Sequence, residues 1–298
     1  MREVRLEPTS SLPLTCTRGG TCCHGHVVRV NPWEVARLAA AAGEDVAAFR
    51  AAFVSACGTR LRFDGPPNAR GGAACRLYAA DVPGCSRHGA RPLGCRLFPL
   101  ARARGGPSGV GAAKGDARYL YQGERFPCLA GCPEVVRGPH LTVSDYLAGQ
   151  DVGAAEAAHD AYLEVVASLG DGALVLLIDS GLAATGDRRT LAAWRRLATA
   201  APEAWHTGET ADWPRWRDRL LSPGQPFEPE PGGFVARHAA ALQVAAQTAF
   251  GALATADALH QAAVTMMALA LLLAETLGAD RAHLGETWIR TARHHGAR

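Results

Sequence analysis

Cysteine placement constrains this chain more than any other feature. Nine cysteines occur, and eight form a recognisable set: Cys16, the adjacent pair Cys22–Cys23, then Cys75, Cys85 and Cys95, then Cys128 and Cys132. None follows Cys132. Met1 to Leu14 contains no apolar run flanked by basic residues, so a secretory leader is not expected and the chain reads as cytoplasmic. Thiols gathered in a reducing compartment bind metal more often than they form disulfides.

The segments around these cysteines explain why metal is needed. Asp64-Gly65-Pro66-Pro67, Gly71-Gly72, Pro83-Gly84 and Gly105-Gly106-Pro107 are turn signals, and little core-forming periodicity is visible from Gly58 to Pro139. A long loop region needs another source of stability, and metal ligation supplies it because binding free energy becomes folding free energy. Ahead of this region, Asn31-Pro32-Trp33-Glu34 reads as a helix start. Asn31 caps, Pro32 suits the first turn, and Glu34 returns a capping-box bond. That helix should stop at Gly43, and a second is expected from Asp45 to Cys57. Short strands are expected at Val27–Val30 and Tyr119–Tyr121.

Beyond Ala154 helical patterns dominate: 155–169, 190–200, 213–221, 234–253, 257–277 and 283–294. A Pro-rich link, Ser222 to Gly233, divides them. The apolar run Ala262–Ala274 is too short to span a bilayer and reads as a buried helix. The expected fold is therefore mainly α. It comprises an irregular cysteine-rich metal-binding module over residues 1–148 and an all-α helical region over residues 149–298.

Net charge is +3, from 31 basic and 28 acidic residues, which gives no case for nucleic acid or a membrane surface. Walker A, GxGxxG, HExxH and GxSxG patterns are absent, as is the C-x3-C-x2-C spacing of radical enzymes. Oligomeric state and substrate are not legible.

Thiolates suit zinc, copper(I) and iron–sulfur clusters. The ligand candidates are Cys16, Cys22, Cys23, Cys75, Cys85, Cys95, Cys128 and Cys132. Adjacent cysteines suit ordinary structural zinc poorly, since it favours pairs two to four residues apart. The Cys22–Cys23 pair could serve two sites, or supply one ligand and one free thiol. Cys57 lies on the apolar side of the second expected helix and reads as buried. His24, His26 and His88 stand beside cysteines, but hydrogen-bonding histidine is commoner than ligating histidine. Arg91 and Arg96 flank Cys95 and can offset thiolate charge and donate to sulfur. Trp194, Trp205, Trp213 and Trp216 read as core or docking residues.

Cys16 with Gly20-Thr21-Cys22-Cys23, the segment Val28 to Glu34, Gly84-Cys85-Ser86, and Arg91-Pro92-Leu93-Gly94-Cys95-Arg96-Leu97-Phe98-Pro99 resemble the YkgJ-type cysteine-cluster family, whose members are described as zinc- or iron-chelating CxxCxxCC-domain proteins. The last segment resembles the family's RPxxCRxFP signature. The likeness covers roughly residues 14–135. Five residues intervene between Cys16 and the pair, more than the family usual, and His88-Gly89-Ala90 also departs from its pattern. The motif order is similar to that of flagellin lysine-N-methylases. The resemblance implies an iron–sulfur cofactor, 4Fe-4S in type and one or two in number, with zinc as the alternative. It also implies a protein or peptide partner, with redox or modification chemistry that could draw on S-adenosylmethionine. The rivals are a zinc-stabilised interaction module and a metal-handling protein.

Overall fold

The structure is a computed structural model and describes residues 4–12, 20–69, 71–82, 84–103, 118–121, 140–179, 188–205 and 212–298. Cys16, Cys128 and Cys132 lie outside the described residues, as does Asn31's upstream segment 13–19.

The expected capping box is present. Asn31 Oδ1 accepts from the Glu34 N–H, and Glu34 Oε2 accepts from the Asn31 N–H. It starts α1 (Pro32–Ala42), which ends at Gly43. Helix α2 (Val46–Phe53) follows, capped by Asp45. It stops short of the expected Cys57 because Val54 turns extended and bridges to Leu61. Helix α3 (Leu93–Leu97) carries Cys95.

The strands are short. β1 (Val4–Leu6), β6 (Arg118–Tyr121) and β5 (Leu100–Ala103) form an antiparallel sheet in that order. β2 (Ser11–Leu12) pairs with β7 (Leu141–Thr142), and β3 (Phe63–Pro67) with β4 (Ala73–Cys75). Val27–Val30 yields only an isolated bridge between Arg29 and Arg60.

The rest is helical: α4 (Val143–Gln150), α5 (Gly153–Asp179), α6 (Arg188–Thr199), α7 (Trp213–Leu221), α8 (Pro231–Phe250), α9 (Ala256–Leu277) and α10 (Arg281–His294). Helix α9 sits at the centre. Ala262 to Ala274 are all buried, and the helix packs chiefly on α5, with α6, α7 and α10 around it. A helix apolar on every side requires such enclosure. By length and composition alone, 153–178 and Ala256–Leu277 could each cross a membrane; the second of these matches the helix expected at 257–277.

Helix α5 runs ten residues past its expected end at Leu169. Gly170 and Gly172 resemble a break, yet Gly170 is a packing device. A Cβ there would lie 2.1 Å from Trp288 Cζ2, so only glycine lets the α10 indole lie on α5.

Helix α1 divides two apolar cores. Trp33 and Ala36 join Leu93, Leu97, Leu100 and the helices α4–α10. Val35, Leu38 and Ala39 face a smaller core with Val28, Phe49 and Leu77. Trp33 Nε1 also donates to the Glu228 carbonyl at 2.9 Å. Apolar packing is therefore continuous across residue 148. The tryptophans are buried, Trp194 completely, and offer no docking face.

Candidate metal centre

Five cysteines from four separated segments line one cavity of about 320 Å³: Cys22, Cys23, Cys75, Cys85 and Cys95. Local structure brings each there. Cys22 and Cys23 sit on a single 3-10 turn, Thr21–Cys23, that follows Gly20. Gly20 has φ +74°, and a Cβ on it would lie 2.6 Å from Tyr78 Cε2. The turn is tied to β4 by a bridge between His24 and Ala74 and by the Gly25 N–H donating to the Ala73 carbonyl at 2.9 Å. Cys75 ends β4 opposite Phe63. Cys85 is bridged to Tyr78, and the Ser86 N–H and Oγ both donate to the Leu77 carbonyl, at 2.8 and 3.0 Å.

Cys95 is placed by α3, and α3 is held at its first residue. The Leu93 N–H donates to Glu34 Oε1 at 2.6 Å. Burial pushes the Glu34 carboxyl up to about 7, with the Leu93 and Asn31 N–H groups pulling the other way.

The two arginines beside Cys95 act differently. Arg91 lines the cavity and lies in electrostatic reach of Cys85 and Cys95, whose ionisation it favours. Its Nε donates to the His88 carbonyl and its Nη2 to Gln150 Oε1. Arg96 is 3% exposed and donates to the carbonyls of Gly89, Arg91, Gln150 and Asp151. It clamps α3 to the end of α4 through these carbonyl oxygens and lies 3.7 Å from Asp151 Oδ2.

The thiols are electrostatically coupled. Cys23 is raised by its hydrogen bond with Cys22, by burial, and by Cys95 and Cys85. Burial pushes Cys75 up to about 11 and holds Cys95 well above the usual thiol range. Without a cation the group stays protonated at neutral pH, so metal must displace protons as it binds. Cys57 stands elsewhere, buried, with its sulfur between Ser55 Oγ at 3.1 Å and Thr59 Oγ1 at 3.0 Å.

Among the described residues, no three histidine, cysteine or carboxylate side chains are close enough to grip a single ion. The five thiols share one cavity. Leu93, Leu97 and Phe98 supply apolar wall. His26 and His88 also line it, His26 tilted against Phe98 at 5.2 Å; His24 instead bonds to the Gly20 carbonyl. One further lining residue, His159, comes from α5 and carries no motif that would single it out.

Residues 15–118 match the family model CxxCxxCC, described as a putative zinc- or iron-chelating domain. No curated protein matches the chain, and no solved structure does.

Proposed function

We propose that the chain holds an iron–sulfur cluster in the five-thiol cavity, a reading that rests on the match of residues 15–118 to the CxxCxxCC zinc- or iron-chelating model. Metal binding follows from the family; the cluster is the finer reading. One observation carries it. The five cysteines line one common volume of about 320 Å³, which has room for more than a single ion. A tetrahedral zinc site with Zn–S near 2.3 Å would require sulfurs roughly 3.8 Å apart. A cubane cluster instead takes four thiolates on separate irons.

The donor count supports this. Cys22 and Cys23 are hydrogen-bonded to each other, so the pair offers one position to a single cluster. With Cys75, Cys85 and Cys95 it completes four. The other member of the pair, with Cys16, Cys128 and Cys132, makes a second set of four, which is the basis for retaining those residues as ligands.

When bound, such a cluster supplies one-electron redox chemistry. The chain's own residues shape that chemistry. Leu93, Leu97 and Phe98 exclude water, which influences potential. Arg91 opposes the negative charge of the thiolates. Glu34 and Arg96 hold α3, and with it Cys95, from opposite sides. The resemblance to lysine methylases extends the reading to redox-dependent modification of a polypeptide. Its docking surface must lie outside the buried tryptophans.

Iron, acid-labile sulfide and zinc measured on anaerobically purified protein test the reading. Stoichiometric iron and sulfide with visible absorbance are expected. A colourless protein carrying zinc alone overturns the cluster and leaves a zinc-stabilised module.

A further inference from the structure

The family domain does not close its own cavity. One wall comes from α5 in the helical half, where His159 lines the same volume as the five thiols. Residues 15–118 do not include it.

The position of His159 is braced on both sides along its helix. Glu156 and Asp160 stand three residues before and one residue after it, and being four residues apart they share one helical face with each other. Both carboxylates hold Arg102, which itself lines the cavity. Arg102 Nη2 donates to Asp160 Oδ2 at 2.9 Å, and its Nε lies 3.2 Å from Glu156 Oε1. The Tyr119 hydroxyl donates to Glu156 Oε1 at 2.7 Å. Arg102 belongs to β5, which follows α3 directly. The strand leaving the Cys95 helix is thus bonded to the turn of α5 that carries His159. Of Glu156, His159 and Asp160 on this turn, His159 lines the cavity.

Resting on the iron–sulfur reading, we propose that His159 is the hydrogen-bond donor through which the helical half meets the cluster, its imidazole N–H donating to cluster sulfur. Donors to sulfur stabilise the reduced, more negative state and so raise the reduction potential. His159 is a tuning residue in this role and not a ligand. The consequence is architectural: the helical half sets the working potential of a centre whose ligands all lie in the other half.

The test compares reduction potentials of anaerobic, cluster-loaded wild-type protein with His159→Phe and His159→Gln. The phenylalanine variant should keep its iron and sulfide and shift to lower potential. The glutamine variant, which retains an N–H donor, should recover part of that shift. His26 and His88 share the cavity, so protein labelled with 15N-histidine is reduced with dithionite and studied by pulsed electron paramagnetic resonance. A nitrogen coupling is expected, and it should persist in His26→Gln and His88→Gln but vanish in His159→Gln. Wild-type potential in His159→Phe at full cluster content overturns the inference while leaving the cluster intact. If the variants fail to load, absence of any histidine coupling in the labelled wild-type protein overturns it equally. Wild-type protein devoid of iron and sulfide overturns the cluster reading and this inference together.

Discussion

Glu34 Oε1 accepts the Leu93 backbone N–H at 2.6 Å, across 59 residues of sequence. The same carboxylate closes the α1 capping box through its other oxygen, which accepts from Asn31 at 2.9 Å. One buried side chain therefore fixes the start of α1 and the start of the helix that presents Cys95. Replacement by glutamine supplies a single acceptor oxygen for two N–H groups. Glu34→Gln should cost about 1–3 kcal/mol, the penalty of one unsatisfied buried group, and lower metal retention at limiting metal. Denaturant unfolding alongside metal analysis checks both; unchanged midpoint and retention would show that α3 is held by other means.

Arg91 and Arg96 should separate in experiment. Removing Arg96 leaves up to four carbonyls without their donor. Arg96→Ala should destabilise the fold by several kcal/mol, on the order of 3, whether or not metal is present. Arg91→Ala should leave the apo fold near wild-type stability and weaken metal affinity about 10–100-fold. Apo unfolding curves and competitive chelation distinguish the pair.

Gly170 should tolerate no side chain. A Cβ would collide with the Trp288 indole, and such overpacking typically costs about 1–3 kcal/mol. Gly170→Ala should therefore lower the thermal midpoint, and Trp288→Ala added to it should give much less than the sum of the two single losses, because the cavity left by the indole accepts the methyl. Strict additivity would contradict the contact.

His238 should make stability depend on pH. It is 2% exposed, and burial lowers it from 6.5 to about 4. The Arg219 carbonyl can only accept, so Nε2 carries the proton and donates at 3.2 Å, while Nδ1 accepts from the Tyr162 hydroxyl at 3.0 Å. The unfolded chain binds a proton here below pH 6.5 and the folded chain does not until near pH 4. Stability from this group is thus full above about 6.5 and falls as pH drops through that window, by roughly 3 kcal/mol at most from about 1.4 kcal/mol per unit. His238→Gln should flatten that limb of the stability profile; an unchanged acid limb would assign it to other groups.

Much of this architecture is legible because it is local. The capping box Asn31–Glu34 follows from residue types at fixed spacing, and α1 stops at Gly43 where the pattern ends. The helical half follows from apolar periodicity. What escapes the sequence depends on contacts between distant residues. Gly170 resembles a helix end until Trp288 is placed against it. Asp45–Cys57 resembles one helix until Val54 pairs with Leu61. Arg96 resembles a sulfur donor because it adjoins Cys95, but its side chain reaches across to α4. His159 lies far from every cysteine in sequence and has no motif around it; only the fold brings it to the thiols.

The central claim is that the ring of thiols around the cavity, and not cysteine in general, holds the metal. Cys95 lines that cavity, whereas Cys57 lies apart between Ser55 and Thr59. The most direct measurement is metal content per chain of anaerobically purified Cys95→Ser and Cys57→Ser beside wild type. Cys95→Ser should lose most of its metal and its visible absorbance, while Cys57→Ser keeps both at a stability cost near 1 kcal/mol. Full metal in Cys95→Ser, or equal loss in Cys57→Ser, would contradict the account.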